Sequence, residues 1–99
     1  MKTYPNDTDT DNVIVILKML SDKTRLKIIY ALMHGPKCVS DIVSVVGESQ
    51  SAISHQLATM KASNLVVSLR QGNKIIYSVA DEHVNQVVKL CLAHARELR

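Results

Sequence analysis

CVSDIVSVVGESQSAISHQLATMKASNL, residues 38–65, is the stretch that decides the fold of this chain. Ser40 can cap a short helix here, and Gly47 ends that helix. Ser49 then caps a second short helix. The apolar residues at helical spacing are Ile42, Val43 and Val46 in the first helix and Ile53, Leu57 and Met60 in the second. Two short helices joined by a tight turn that contains glycine are typical of a helix-turn-helix.

Two helices are predicted before this stretch. An apolar pattern begins after residue 12 and indicates a helix capped near Asp11 or Asn12. Ser21 and Asp22 can cap the next helix. Gly35-Pro36 stops that helix, because glycine accepts the left-handed cap conformation and proline cannot continue the helix.

A hairpin and a last helix are predicted after the helix-turn-helix. Residues 65–70 and 74–79 are rich in β-branched side chains and flank Gln71-Gly72-Asn73, which indicates a β-hairpin with a glycine-bearing turn. A final helix is expected from about Glu82 to Arg99. The order of elements predicts a mainly α, winged helix-turn-helix fold with a small β-hairpin.

Length and composition are those of one small domain. We expect residues 12–99 to form it and the polar residues 1–11 to be a flexible N-terminal arm. Apolar residues make up 46% of the chain, enough for a modest core that dimerisation would enlarge. The aromatic residues are three tyrosines, which argues against a base-stacking platform for single-stranded nucleic acid. The net charge of +3 suits a polyanionic partner.

Cysteine usage and hydropathy bear on location. Cys38 and Cys91 make neither a disulfide framework nor a C-x-x-C motif. No secretory leader pattern opens the sequence, and no apolar run approaches the length of a membrane span. We therefore expect a reduced, cytoplasmic protein with no membrane partner.

The outward face of the second short helix carries hydroxyl and amide groups instead of the charged residues of an ordinary solvated face. Such short groups can hydrogen-bond base edges and phosphates in the major groove. Arg70 and Lys74 flank the hairpin turn and can reach phosphates or the minor groove. The predicted DNA-binding residues are Ser49, Gln50, Ser51, Ser54, His55, Gln56, Lys61, Arg70 and Lys74.

The alternative for these residues is an ordinary polar helix face and a charged hairpin edge that discourages aggregation. The position of the face, after a tight turn and before a basic hairpin, favours double-stranded DNA. One such domain makes few base contacts, so we expect a two-fold dimer on a pseudo-palindromic operator.

The last nineteen residues contain the pattern D-x-H-(ten residues)-H-x-x-E, whose four metal-binding side chains are Asp81, His83, His94 and Glu97. The two histidines are about 16 Å apart along a straight helix, too far for one ion whose ligands lie at about 2 Å. Two copies of the helix packed antiparallel bring Asp81 opposite Glu97 and His83 opposite His94 in nearly one register. The pattern predicts a homodimer through its terminal helices with two inter-subunit sites. Two imidazoles and two carboxylates suit Zn²⁺, or its chemical relative Co²⁺.

Each donor taken singly has a simpler interpretation. Asp81 is well placed to be only a helix cap, and Glu97 can pair with Arg96 or Arg99. Either histidine can be a polar surface residue. The joint fit of all four to one antiparallel register favours the metal site.

Several segments resemble the ArsR–SmtB family of metal-responsive repressors over roughly residues 12–99. They are LSDKTRLKIIYAL, KCVSDI, SQSAISHQLATMKASNLV, RQGNKIIYSV and the terminal D-x-H…H-x-x-E. Within the family the chain is most similar to zinc sensors with a site on the last helix. The ligand pattern of those sensors falls on Asp81 and His83 from one subunit and His94 and Glu97 from the other.

The resemblance implies a dimer whose metal-free form binds operator DNA and represses, and which metal releases. It also implies a coupling route, in which the histidine matching His94 hydrogen-bonds backbone at the position of His55. The family's thiolate site has C-x-C where this chain has Cys38-Val39-Ser40, so a soft-metal site is not expected. Nickel-sensing relatives place a histidine where this chain has Glu97, which favours zinc.

Two alternative functions have weaker support in the sequence. A thiol-redox-responsive repressor on the same scaffold would use Cys38 or Cys91. An enzyme with a small-molecule substrate is not expected, because four protein ligands leave a zinc ion no open position. The chain also lacks a Ser-His-Asp set, a P-loop and a dinucleotide-binding motif.

Overall fold

The computed structural model describes residues 3–98, which form five α-helices and one three-stranded antiparallel sheet. Strand order in the sheet is β1-β3-β2. The predicted mainly α, winged helix-turn-helix architecture is confirmed. In chain order the elements are α1 (Asp7–Leu20), α2 (Lys23–Met33), β1 (Lys37–Cys38), α3 (Val39–Val46), α4 (Gln50–Ala62), β2 (Val66–Gln71), β3 (Lys74–Val79) and α5 (Glu82–Glu97).

Three predicted helix boundaries are confirmed by their hydrogen bonds. The Asp22 carboxylate accepts from the Arg25 amide at 3.0 Å and caps α2. The Ser49 hydroxyl accepts from the Ala52 amide at 3.2 Å and caps α4. Gly47 ends α3 in the left-handed conformation with φ of 85°, which costs glycine little. The tight turn of the helix-turn-helix is therefore built by the glycine and the serine that the sequence indicated.

The start of α1 corrects the sequence prediction. The helix begins at Asp7, not at residue 11 or 12, and Asn6 caps it by accepting from the Asp9 amide at 2.8 Å. Asn6 is a good N-cap, and acidic residues in the first turn favour the positive end of the helix dipole. Residues 7–11 are thus helical although they are polar throughout. The division of the chain into an arm and a domain at residues 11 and 12 is not decided by this helix start and stays a prediction.

The start of α3 is also different from the prediction. The helix begins at Val39 after Cys38, so Ser40 lies inside the first turn and is not the cap. The Ser40 hydroxyl instead lies 3.2 Å from the Cys38 sulfur. Cys38 is held extended because Lys37 and Cys38 form the short strand β1, which pairs with Tyr77 and Ile76 of β3. Two residues are too short for an alternating pattern to be visible in the sequence.

The hairpin is one residue tighter than predicted. Gln71 belongs to β2 and pairs with Lys74, so the turn is Gly72-Asn73 alone. Gly72 has φ of 62°, and a glycine with positive φ at the first central position is typical of a type II′ hairpin turn.

The core is aliphatic and lies between α2, α3, α4, the sheet and one side of α5. Ile53, Leu57 and Met60 of α4 are fully buried, as the helical spacing predicted. Helix α1 contributes little, since Leu20 is its one buried residue. The buried apolar residues are Leu20, Ile28, Ile29, Ala31, Leu32, Cys38, Ile42, Ile53, Leu57, Met60, Leu65, Val66 and Val88.

We expect Leu57→Ala to lower the free energy of unfolding by about 2–5 kcal/mol, because it removes buried methyl groups and leaves a cavity. Leu69→Ala is the matched control, since Leu69 is 64% exposed and leaves no cavity when shortened. Urea denaturation followed by circular dichroism measures both changes. An equal effect of the two substitutions would contradict this description of the core.

Candidate nucleic-acid interface and metal-binding helix

Helix α4 is oriented by its buried side, and its opposite side faces solvent. Ile53, Leu57 and Met60 point into the core. Of the nine predicted DNA-binding residues, eight are exposed: Ser49, Gln50, Ser51, Ser54, His55, Lys61, Arg70 and Lys74. The structure therefore leaves these side chains accessible, and their contact with DNA stays a prediction.

The predicted outward position of Gln56 is wrong. This side chain is partly buried, and its Oε1 accepts a hydrogen bond from Arg25 Nη1 at 3.0 Å. Arg25 is on α2, so the contact joins two helices across 31 positions of sequence. A helical wheel of α4 alone places Gln56 at the border of the polar face and contains no information about an arginine on a neighbouring helix.

Lys61, in the last turn of α4, also forms a side-chain hydrogen bond to a neighbouring element. Its Nζ donates to the Ser68 hydroxyl of β2 at 2.7 Å. The bond joins the end of α4 to the hairpin and places a positive charge beside β2. Both groups of this pair lie near the surface, where the ammonium can still turn to a phosphate.

The hairpin tip is positively charged. Lys74 pairs with Gln71 across the turn, and Arg70 lies opposite Ile75 in the adjacent pair. Both basic side chains are exposed, and within residues 3–98 neither forms an ion pair. Two unneutralised cations at the end of a projecting hairpin attract the phosphate backbone.

Helix α5 turns its predicted metal-binding face to solvent. Val88 is buried and Val84 packs against the core, which fixes the rotation of the helix. The opposite stripe is exposed: His83, Val87, Leu90, His94 and Glu97. Val87 and Leu90 leave apolar surface uncovered between two pairs of polar donors.

Asp81 and His83 form one end of this stripe. Asp81 caps α5, and its Oδ1 accepts from the Val84 amide at 3.2 Å. His83 Nδ1 lies 3.6 Å from the same Oδ1. Both side chains are exposed, so an imidazole and a carboxylate stand together at the surface.

The four predicted ligands are not brought together within one chain. His94 and Glu97 lie in the last turns of α5, far along the axis from Asp81 and His83. Residues 3–98 of a single chain contain no group of three or more His, Cys, Asp or Glu side chains that could hold a metal ion. In the described part of the chain no hydrogen bond joins His94 to α4. The main contacts of α4 are with α3, β2 and α2. The inter-subunit site and the coupling of His94 to His55 stay predictions.

Helix α1 presents a second uncovered apolar surface that the sequence analysis did not single out. Five consecutive residues are each 41–52% exposed: Val13, Ile14, Val15, Ile16 and Leu17. Between α1 and α5 lie two apolar grooves of about 380 and 260 Å³, and Leu20 and Val87 line both. Uncovered apolar area of this kind marks an interaction surface. The sequence signal for this surface was a run of five consecutive apolar residues on a helix. Five in a row cannot all face one core, so some of them have to be exposed.

The two cysteines occupy different environments. Cys38 is buried, Cys91 on α5 is exposed, and both are free thiols. The Cys38 sulfur has the Ser40 hydroxyl as its neighbour, so a second thiol is missing at the place where the resemblance would put a thiolate pair.

Comparison with known proteins places the helix-turn-helix in a family. A family model described as "Bacterial regulatory protein, arsR family" matches residues 22–68, from the cap of α2 into β2. A cadmium resistance transcriptional regulatory protein CadC homolog of Staphylococcus aureus is 36% identical over 88% of this chain and 73% of its own length. The chain belongs to the ArsR family. This ArsR-family chain is a DNA-binding transcriptional regulator and not an enzyme.

Solved structures of ArsR-family type have the same fold as this chain. The antimony-specific transcriptional repressor AntR matches with a TM-score of 0.84 and 30% identity, over 99% of this chain and 91% of that one. A homodimeric winged helix-turn-helix DNA-binding domain from Mycobacterium bovis, a possible ArsR-family regulator, also has a TM-score of 0.84. It is 27% identical over 98% of this chain and 92% of its own. In residues 3–98 of the ArsR-family chain, no helix has the length and apolar character needed to span a membrane.

For the hairpin tip we expect Lys74→Met to weaken binding to specific and scrambled duplexes by similar factors. The slope of log affinity against log salt concentration should become shallower by about one phosphate contact, because we expect this lysine to contact the DNA backbone and not the bases. Fluorescence anisotropy at several salt concentrations measures both quantities. Lys89→Met on α5 removes the same charge away from the tip and should leave the slope unchanged. Identical slopes for wild type and Lys74→Met would remove Lys74 from the interface.

Proposed function

We propose that the chain is a metal-responsive transcriptional repressor and that zinc is the metal its residues suit best. The metal-free homodimer binds double-stranded operator DNA through α4 and the hairpin. Metal binding between the two α5 helices releases the dimer from DNA and permits transcription. The names of its relatives, a cadmium resistance regulator and an antimony-specific repressor, support metal control of a repressor. Since bacterial operators lie in the cytoplasm, this function implies a cytoplasmic protein.

The observation that carries the proposal is the exposed stripe of α5. The buried Val88 and partly buried Val84 fix the rotation of the helix. His83 and His94 consequently lie on the free face, one at each end, with Val87 and Leu90 between them. A second α5 packed antiparallel covers the apolar middle and completes each pair of donors.

Dimerisation through the terminal helices has support from the uncovered surfaces and from a relative. The exposed apolar residues of α1 lie beside the grooves that border α5, so one partner can cover both. The Mycobacterium bovis domain with the same fold is described as homodimeric. A chain of 99 residues also gains core that it cannot build alone.

Asp81 can be a helix cap and a metal ligand at once. The cap bond to the Val84 amide uses Oδ1, and His83 lies beside the same oxygen. A carboxylate has a second oxygen with its own lone pairs. That oxygen makes no hydrogen bond within the described residues, so it is available to an ion held with His83.

The donor chemistry of α5 fits zinc better than the softer metals named for the relatives. Imidazole and carboxylate are common zinc ligands, whereas soft ions prefer thiolates. Cys38 has a serine where a second thiol would be needed, and Cys91 lies on the flank of the stripe. A bound Zn²⁺ would link the two subunits through Asp81 and His83 of one and His94 and Glu97 of the other. Co²⁺ suits the same donors.

Control of DNA binding requires only that the ion prefers the conformation that fits DNA less well. Helix α5 packs on α2 and β3, which also support α4 and the hairpin. A change in how two α5 helices meet is therefore transmitted to the DNA-binding elements, and a bond from His94 to the backbone near His55 would strengthen that path. Couplings of about 1–3 kcal/mol change operator affinity by roughly five- to 150-fold.

The central test is His94→Ala. We expect this variant to bind operator DNA as the wild type does in the presence of a chelator, and to keep that affinity when Zn²⁺ is added, because one ligand of each site is gone. The wild type should lose affinity by roughly five- to 150-fold on addition of Zn²⁺. Gel shift or fluorescence anisotropy with and without Zn²⁺ measures the response.

The matched control is His34→Ala, which removes an exposed histidine at the end of α2. This variant should respond to Zn²⁺ as the wild type does. The double variant Cys38→Ser with Cys91→Ser should respond as well. Loss of regulation in the cysteine variant with an intact response in His94→Ala would favour the thiol-redox repressor instead.

The two roles of Asp81 can be separated by a pair of substitutions. Asp81→Asn keeps a good N-cap, so the free energy of unfolding should change little, while the affinity for Zn²⁺ falls because the anionic ligand is lost. Asp81→Ala should lose the metal affinity and in addition about 1 kcal/mol of stability. Thermal unfolding of the metal-free proteins and a competition titration with a zinc chelator give the two quantities. Unchanged zinc affinity in Asp81→Asn would leave Asp81 a cap alone.

A further inference from the structure

The Arg25 side chain connects three helices. It is partly buried on α2, where its own backbone amide donates to the Asp22 cap. Its Nε donates to the Met19 carbonyl of α1 at 2.7 Å, and its Nη1 donates to Gln56 Oε1 of α4 at 3.0 Å. One guanidinium therefore holds the end of α1 and the middle of α4 together.

The geometry of this contact is stiff. A guanidinium is planar and presents its N–H groups in fixed directions, so two simultaneous bonds fix the direction between their acceptors. The Met19 carbonyl lies in the last turn of α1, where carbonyl groups lack intrahelical partners and a cation is favoured. In residues 3–98 the guanidinium has no carboxylate within ion-pair distance. Both hydrogen bonds of the guanidinium within these residues go to neutral oxygens. They therefore fix the relative direction of α1 and α4 and do not neutralise the charge of Arg25.

The contact lies between a dimerisation element and the DNA-binding helix. Helix α1 has little other attachment to the domain, since Leu20 is its one buried residue. Its exposed apolar residues, together with those of α5, form the surface proposed for the dimer. Gln56 belongs to α4, whose exposed face carries most of the predicted base contacts. Arg25 thus bonds both α1, which carries part of the surface proposed for the dimer, and α4, which carries most of the predicted base contacts.

We propose that Arg25, through Gln56, is a positioning residue that determines which half-site spacing the dimer accepts. In a two-fold dimer the distance and angle between the two α4 helices decide the separation of half-sites that can be contacted together. A fixed angle between α1 and α4 gives one accepted spacing, and a loose angle admits neighbouring spacings. The proposal rests on DNA binding by α4 and on a dimer, and it is independent of the metal response.

The test is selection of binding sites from a pool of random-sequence DNA duplexes, carried out in the presence of a chelator. The proteins are the wild type, Arg25→Met, Gln56→Leu, the double variant and Arg25→Lys. The wild type should select palindromes with one half-site spacing. Arg25→Met and Gln56→Leu should select the same half-site bases at two or more spacings. Arg25→Lys should be intermediate, because an ammonium lacks the planar fork.

Affinity for the duplex that the wild type selects provides a second readout. Each single substitution should weaken binding by about tenfold, and the double variant should be no weaker than Arg25→Met, because both changes break the same bond. The salt dependence should stay that of the wild type, since Arg25 contacts no phosphate in this scheme. Lys23→Met, an exposed lysine on the same helix, is the charge control and should change neither spacing nor affinity.

Three results would overturn the inference. They are an unchanged single spacing in both variants, additive losses in the double variant, and a salt slope reduced by one contact in Arg25→Met. If Arg25→Met does not fold, Gln56→Leu carries the test, because it leaves the bond from Arg25 to the Met19 carbonyl in place. A wild type that selects one spacing but ignores Zn²⁺ would contradict the proposed metal control and leave this inference standing.

Discussion

Burial of the aliphatic side of α4 is the constraint on which the DNA-binding surface depends. Ile53, Leu57 and Met60 are fully buried against α2, α3 and the sheet, so the rotation of α4 about its axis is fixed. The polar side chains at the remaining positions then have to face outward. Because the chain has no tryptophan or phenylalanine, this core consists mainly of isoleucine, leucine and valine side chains. Close packing of such groups holds a helix orientation more tightly than hydrophobicity alone does.

Burial of one side also orients α5 and leaves its opposite side free for a partner. Val84 and Val88 attach the helix to the domain by a narrow stripe, which leaves the opposite face with its two histidines uncovered. Helix α1 has a smaller buried contact with the domain, because Leu20 is its one buried residue. The one small core of this domain leaves apolar residues of both terminal helices exposed. The proposed dimerisation and the proposed metal sites thus share one physical origin, the apolar surface that a single small core leaves exposed.

In residues 3–98, hydrogen bonds and no ion pair join α4 to α1 and to the hairpin. Arg25 joins α1 to α4 by donating to the Met19 carbonyl and to Gln56, and Lys61 joins α4 to the hairpin by donating to Ser68. Directional bonds at the middle and in the last turn of α4 fix its position relative to α1 and the hairpin. The proposed response to metal and the proposed spacing preference both depend on that relative position, although through different residues.

The sequence by itself determined the kinds of elements and the faces of the helices, because caps, glycine turns and hydrophobic spacing act over a few residues. Asp22, Gly47 and Ser49 are examples that the structure bears out. Only the tertiary structure decided contacts between distant segments. Strand β1 exists because β3 pairs with it, and Gln56 is partly buried where it bonds Arg25 of another helix. The early start of α1 was missed because a polar, solvent-facing turn shows no hydrophobic period. The four donors of α5 were located by spacing alone, and their meeting requires a second subunit, which the fold of one chain does not contain.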